Sequence, residues 1–177
     1  MLGDSISAGY GLDNPAQGWV TLLAEKIKAT GKASEIVNAS ISGEVTAGGL
    51  SRIDGLLAQH KPGIVILELG ANDGLRGLQP SLMQANLNEI IMKAKKSGAK
   101  IVLLGMRIPP NYGKRFNDMF EVVFPTLAKQ HESAYVPFLL EGVGGNAKLM
   151  QPDGLHPNAE AQPILMQLVW EKLQSLL

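Results

Sequence analysis

A chain of 177 residues predicts one domain, long enough to bury roughly 70% of the surface that its unfolded form exposes. Its 16 Lys and Arg balance 16 Asp and Glu, so no net field draws it to nucleic acid or anionic lipid, and the short run Lys93-Ala94-Lys95-Lys96 reads as a solvated helix face. The absence of cysteine removes disulfides, thiol catalysis and zinc-thiolate sites together, and no apolar run approaches the roughly 20 residues that span a bilayer.

The chain opens on Gly3-Asp4-Ser5-Ile6-Ser7, a tight turn that can hold a serine hydroxyl at the rim of a sheet. Only Met1 and Leu2 precede it, where a strand of about five residues is expected. The expectation is that upstream residues, including any leader, lie outside this chain; no signal-peptide pattern precedes Gly3. Apolar spacing then predicts a helix from Gly18 to Thr30, stopped by Gly31, and a short strand from Glu35 to Ala39. A second helix is expected from about Thr46 to His60, ending before Pro62. Gly63 to Leu69 is a nearly continuous apolar run, as in a strand buried on both faces of a parallel sheet.

A loop is expected from Gly70 to Pro80, after which Ser81 and Gln84 form a capping-box pattern opening a helix to about Ser97. Lys100 to Gly105 reads as another buried strand, and Arg107 to Gly113 is too rich in Pro and Gly for regular structure. A helix from about Lys114 to Gln130, interrupted or bent near Pro125, leads to a strand over Ala134–Phe138. Leu139 to Pro152 reads as loop or short helix. Asn158 caps a last helix to Leu177, with Pro163 early enough to be tolerated. Alternating strands and helices predict a three-layer α/β/α sandwich around a central parallel sheet. Ligands in such sheets sit beyond the carboxyl ends of the strands, where the loops carry Ser5, Gly43, Asn72, Ile108 and the segment Asp153 to His156.

Ser5 is the candidate nucleophile, and it needs a base, an orienter of that base and donors for an oxyanion. Of three histidines, His60 and His131 each close a helix, where an imidazolium complements the dipole. His156 follows a glycine-containing loop, with Asp153 three residues before it. That spacing brings the carboxylate to one ring nitrogen and leaves the other for a hydroxyl, as in serine triads; alternatively, Asp153 caps the turn and His156 packs on it. The Ser5 N–H, the Gly43 N–H and the Asn72 side-chain amide are candidate oxyanion donors. The plainer roles are a loop glycine at Gly43 and a self-satisfying turn residue at Asn72. Asp4, Asn72, Asp73, Asp153 and His156 could instead form the oxygen and nitrogen donor set of a metal-dependent phosphoesterase. A further alternative is a non-catalytic acyl- or glycan-binding module.

Gly3-Asp4-Ser5, Gly43, Gly70-Ala71-Asn72-Asp73 and Asp153-Gly154-Leu155-His156 resemble, in order and approximate spacing, the four sequence blocks of the SGNH hydrolases, the G-D-S-L esterase family. The likeness extends over essentially the whole chain. It is nearest to the small bacterial branch of thioesterase, lysophospholipase and arylesterase type, through Asn38–Gly43, Glu68–Gly77 and Pro109–Gly113. The resemblance implies a flavodoxin-like fold and an ester or thioester hydrolase with Ser5 as nucleophile, His156 as base and Asp153 as orienter. It implies an oxyanion hole of Ser5, Gly43 and Asn72, no cofactor and no metal. Leu75, Ile108 and Leu155 are the substrate-binding candidates, with Leu78 beside them, and the loop Leu75–Pro80 corresponds to one that shifts in relatives when an acyl chain binds. A small-molecule substrate, a monomer without stable membrane insertion, and a periplasmic or secreted location also follow from the resemblance. Ile6 stands where the family usually has leucine, and the first strand is nearly absent.

Overall fold

The computed structural model describes residues 1–32 and 35–177. Four parallel strands, β1 (Leu2–Gly3), β2 (Ile64–Glu68), β3 (Lys100–Leu104) and β4 (Ala134–Val136), form one sheet in the order β1-β2-β3-β4. Their registers place Leu2 beside Leu67, Val65 beside Ile101 and Leu103 beside Tyr135. Ile101 to Leu104 and Val65 to Leu67 are all buried, as continuous apolar runs demand when both faces of a sheet are covered.

The covering helices are α1 (Ser5–Ala8), α2 (Trp19–Ala29), α3 (Thr46–His60), α4 (Ala71–Leu75), α5 (Pro80–Lys96), α6 (Lys114–Glu121), α7 (Val123–His131) and α8 (Gln162–Leu173). Helices α3, α5 and α7 pack in series, α2 packs on α8, and β3 touches α5, α7 and α8. The result is the expected three-layer arrangement. Trp19, Leu23 and Ile27 are the buried stripe of α2, and Leu165, Val169 and Leu173 that of α8, each spaced four apart along one helix face.

The sheet is shortest where it begins. β1 pairs only Leu67 and Glu68 of β2, so Ile64, Val65 and Ile66 pair on the β3 side alone. On its other edge, the Met1 amine donates to Val37 O at 2.8 Å, Ala39 N to Met1 O at 2.9 Å and Ile41 N to Gly3 O at 3.0 Å. The segment expected as a strand over Glu35–Ala39 therefore runs beside β1 without becoming one: its bonds fall on Met1 and Gly3 at alternate positions, and β1 is too short to extend them. A cavity of about 690 Å³ lies at this amino end of the sheet, between Ile36, Ile64 and Leu176, and shares no residue with the serine-bearing edge.

Other boundaries move for local reasons. The loop after β2 contains α4, and α5 begins at Pro80, with Gln79 before it and no side-chain cap; proline at the first helical position replaces the expected Ser81 and Gln84 box. The interruption or bend expected near Pro125 is a break: Lys114–Gln130 forms two helices, α6 and α7, parted at Val122. Pro125 has no N–H for the Glu121 carbonyl and its ring crowds that turn. Pro137 likewise ends β4 early. Asn158 caps a single 3₁₀ turn, accepting from Glu160 N at 3.0 Å and Ala161 N at 3.3 Å, and α8 stops at Leu173 rather than Leu177.

Strand β3 closes on a tight approach. Gly105 N donates to Val136 O at 2.8 Å and Gly105 O accepts from Leu139 N at 2.9 Å, leaving a Cβ on Gly105 only 2.3 Å from the Pro137 carbonyl oxygen. Gly105→Ala is expected to lower stability by about 1–3 kcal/mol. Gly55, exposed in α3 with nothing within 4 Å of a built Cβ, behaves oppositely: Gly55→Ala adds up to about 1 kcal/mol. Urea-unfolding midpoints of the two variants check both signs.

Candidate active site

β1 delivers the chain to the carboxyl edge of the sheet, and Asp4 turns it into α1. The Asp4 Oδ1 accepts from Ile6 N at 3.0 Å as an N-cap, which leaves Ser5 as the first residue of a one-turn helix. Its N–H has no partner within that helix. Gly3 admits no side chain, since a Cβ would lie 2.7 Å from Glu68 Oε2 and 2.9 Å from Ser7 Cβ.

The other half of the site comes from the segment before α8. Gly154 adopts φ +67°, a left-handed position that suits glycine, and closes a turn in which Asp153 Oδ1 accepts from Leu155 N at 2.9 Å and His156 N at 3.0 Å. Asp153 Oδ2 lies 2.7 Å from His156 Nδ1, and His156 Nε2 lies 2.8 Å from Ser5 Oγ. Burial raises the Asp153 carboxyl, but bonds from the His156 ring and the two backbone N–H groups outweigh it and bring the pKa down to about 2. A carboxylate against Nδ1 keeps the proton there, so Nε2 accepts and the Ser5 hydroxyl donates. Gln151 fastens the turn, with Nε2 donating to Tyr10 O at 2.8 Å and Pro157 O at 3.0 Å. The Tyr10 ring lies 4.6 Å from the imidazole, tilted by 42°.

Asn72 stands in the first turn of α4. Its Nδ2 donates to Asp4 Oδ2 at 3.0 Å and to Glu44 O at 3.1 Å. Gly43 has φ +78°, and its carbonyl accepts from Arg76 Nη2 at 2.9 Å. The neighbouring Glu44 carboxylate is held by Arg52 through two nitrogens. Among the described residues no hydrogen bond uses the N–H of Ser5 or Gly43, so both remain available as donors. Ser5, Gly43, Asn72 and His156 share one cavity of about 220 Å³, whose apolar walls include Leu75, Ile108 and Leu155. All three expected pocket residues thus border it. Leu78 does not; it is an exposed side chain.

The donor set considered for a metal does not converge. Asp73 commits both oxygens to Thr46, accepting from its N–H at 2.8 Å and its hydroxyl at 2.5 Å. Asp4 is spent on Ile6 and Asn72. His131 bonds Asn88 Oδ1 at 2.7 Å far from the site, at the end of α7. Sequence reasoning missed Glu68 and Tyr10. Glu68 is fully buried and accepts from Asp4 N at 3.1 Å and Ser7 Oγ at 2.6 Å. The signal was present: it is the lone acid in the apolar run Gly63–Leu69, and a buried acid demands partners.

A family model described as the GDSL-like lipase/acylhydrolase family matches residues 1–163. The chain is 51% identical to esterase TesA of Pseudomonas aeruginosa over 177 residues, covering all of this chain and 88% of that protein. It is 42% identical to thioesterase 1/protease 1/lysophospholipase L1 of Escherichia coli, over 99% of this chain and 83% of that one. The crystal structure of TesA superposes with a TM-score of 0.96 at 50% identity, covering 99% of this chain and 97% of that chain. The chain therefore belongs to the GDSL-like lipase/acylhydrolase family and is a hydrolase of its esterase and thioesterase group.

Proposed function

We propose that Ser5 forms an acyl-enzyme from carboxylic esters and thioesters, with His156 as base, Asp153 as orienter, and the Ser5 N–H, Gly43 N–H and Asn72 amide as the oxyanion hole. The observation that carries this reading is the unbroken chain of bonds from Ser5 Oγ through His156 to Asp153, at 2.8 and 2.7 Å. Ser5 Oγ attacks the carbonyl carbon as its proton passes to His156 Nε2, and the carbonyl oxygen takes the negative charge. His156 then gives that proton to the leaving alkoxide or thiolate. Water, deprotonated by the same nitrogen, frees the acid and restores Ser5. Every proton moved in both half-reactions passes through the same imidazole nitrogen, so no other acid or base enters the cycle.

The substrates are small acyl esters and thioesters. Leu75, Ile108 and Leu155 border the cavity beside Ser5, an apolar wall for an acyl chain, and the names of the two relatives span ester, thioester and lysophospholipid leaving groups. One chain is the active unit, because all the groups named come from a single polypeptide. Among the described residues no helix is long and apolar enough to cross a membrane.

Ser5→Ala is expected to abolish p-nitrophenyl butyrate hydrolysis above a residual rate, while the wild-type rate survives EDTA; undiminished turnover in the variant would remove Ser5 from its role. Asp153→Asn keeps an oxygen for the two backbone N–H groups but turns an amide N–H toward Nδ1. The ring then carries its proton on Nε2, and kcat falls by about 10⁴-fold with little change in KM. Asn72→Ala lowers kcat by about 10²-fold or more, again at constant KM; a change confined to KM would make the amide a substrate ligand. Because Asp153 is held at about 2, it stays anionic until pH falls towards that value. A low-field proton resonance of His156 Nδ1 should therefore persist from pH 8 to pH 4 and vanish in Asp153→Ala.

A further inference from the structure

Two acids in contact with this site, Asp4 and Glu68, are 1% and 0% exposed and take no part in the acyl transfer. Their hydrogen bonds divide unequally. Asp4 receives one N–H on each oxygen, from Ile6 at 3.0 Å and Asn72 at 3.0 Å. Glu68 receives two donors on Oε2, from Asp4 N at 3.1 Å and Ser7 Oγ at 2.6 Å, and none on Oε1. The Oε2 bond to the Asp4 N–H seats the Glu68 carboxyl against Asp4, and the Asp4 charge acts directly on it. The ionisable group acting on the pair from elsewhere is His156, on the Asp4 side, with Asp153 behind it; among the described residues neither carboxyl is hydrogen-bonded or ion-paired to a lysine or arginine. Two bare carboxylates in such a place repel without compensation.

We propose that Glu68 is a neutral acid whose Oε1–H donates to Asp4, and that this bond makes Glu68 the positioning residue that holds the Asp4 carboxylate and, through it, the Asn72 amide. The proton belongs on Glu68, because Oε1 is the one buried oxygen of the pair with no donor, whereas both Asp4 oxygens are already acceptors. Burial agrees with this order. It pushes Asp4 up to about 6, against the opposing bonds from Ile6, Glu68 and Asn72, and Glu68 well above the usual carboxyl range. With one amide hydrogen fixed on Asp4, the second, now on Glu44 O, is the one free to transfer to a substrate oxygen. The proposal rests on the reading of Asn72 as an oxyanion donor.

The test measures kcat and KM for p-nitrophenyl butyrate from pH 5 to 9 in Glu68→Gln, Glu68→Met, Asn72→Ala and the Glu68→Met/Asn72→Ala double variant. Loss of the positioning bond in Glu68→Met is expected to lower kcat by about tenfold or more at constant KM. Asn72→Ala should then cost far less in that background than alone. Glu68→Gln, which replaces one neutral donor by another, should restore kcat to within about threefold and leave the acid limb of the pH profile in place. Multiplicative effects of Glu68→Met and Asn72→Ala would reduce Glu68 to a structural residue and overturn the proposal. So would an acid limb displaced downward by more than about half a unit in Glu68→Gln, the mark of a lost negative charge. Infrared difference spectra of wild type against Glu68→Gln at pH 8 supply a readout that needs no folded methionine variant. A protonated carboxyl C=O band present only in wild type is expected, and its absence overturns the neutral acid. If Asn72→Ala alone leaves kcat unchanged, the oxyanion reading fails while the infrared band still reports the proton.

Discussion

Everything at this site depends on docking the front of the chain against its back. The bond between Ser5 and His156 joins residues 151 apart, and a hydrogen bond tolerates only a few tenths of an ångström. The alignment is built from two further links of almost the same span. Trp19 N donates to the buried Gln162 Oε1 at 3.0 Å, and Gln151 Nε2 donates to Tyr10 O at 2.8 Å. The apolar stripes of α2 and α8 close over each other between them. The loop bearing His156 is thus pinned on both flanks, by its own Asp153 turn and by a helix pair whose packing belongs to the core.

A second constraint is electrostatic. Asp4 borders the cavity that holds Ser5, and under the proposed mechanism a carboxylate there works against the developing negative charge. Its orientation explains the arrangement. Both oxygens are turned onto N–H groups, Ile6 at the start of α1 and the Asn72 amide, so the charge spends itself on aiming a helix and a donor. The loop opposite is braced in the same manner, with Arg76 on the Gly43 carbonyl and Arg52 on the Glu44 carboxylate. Under the proposed function, oxyanion stabilisation comes from donors fixed before substrate arrives, and these bonds hold the Asn72 amide and the Gly43 loop in place.

Much of this was legible in the residues themselves. The buried strands β2 and β3 follow from their apolar runs, α3 from its periodicity, and the four motif blocks from residue types that acyl transfer needs. The Asp153 and His156 pairing is local, three residues apart around Gly154, so sequence spacing offers it beside a purely capping Asp153, and the structure has one oxygen of Asp153 in each role. Where proline acts within a few residues, at Pro80 and Pro137, the outcome differs from the pattern by a shifted start and a shortened strand, while the break expected near Pro125 is found three residues earlier. Local sterics override periodicity there.

Tertiary structure decided what no local window contains. Whether Asn72 satisfies its own turn or faces Ser5 depends on Asp4 and Glu44, 68 and 28 residues away. Asp73, adjacent to Asn72 and chemically eligible for a site, is instead claimed by Thr46. Glu68 occupies an apolar strand, and its partners appear only when β1 lies beside β2 and α1 folds over both. Sequence determines which groups are present and the short-range turns that hold them, because those energies depend on neighbours along the chain. Which groups share a proton, a donor or a cavity depends on distances through space, and these exist only once the layers are packed.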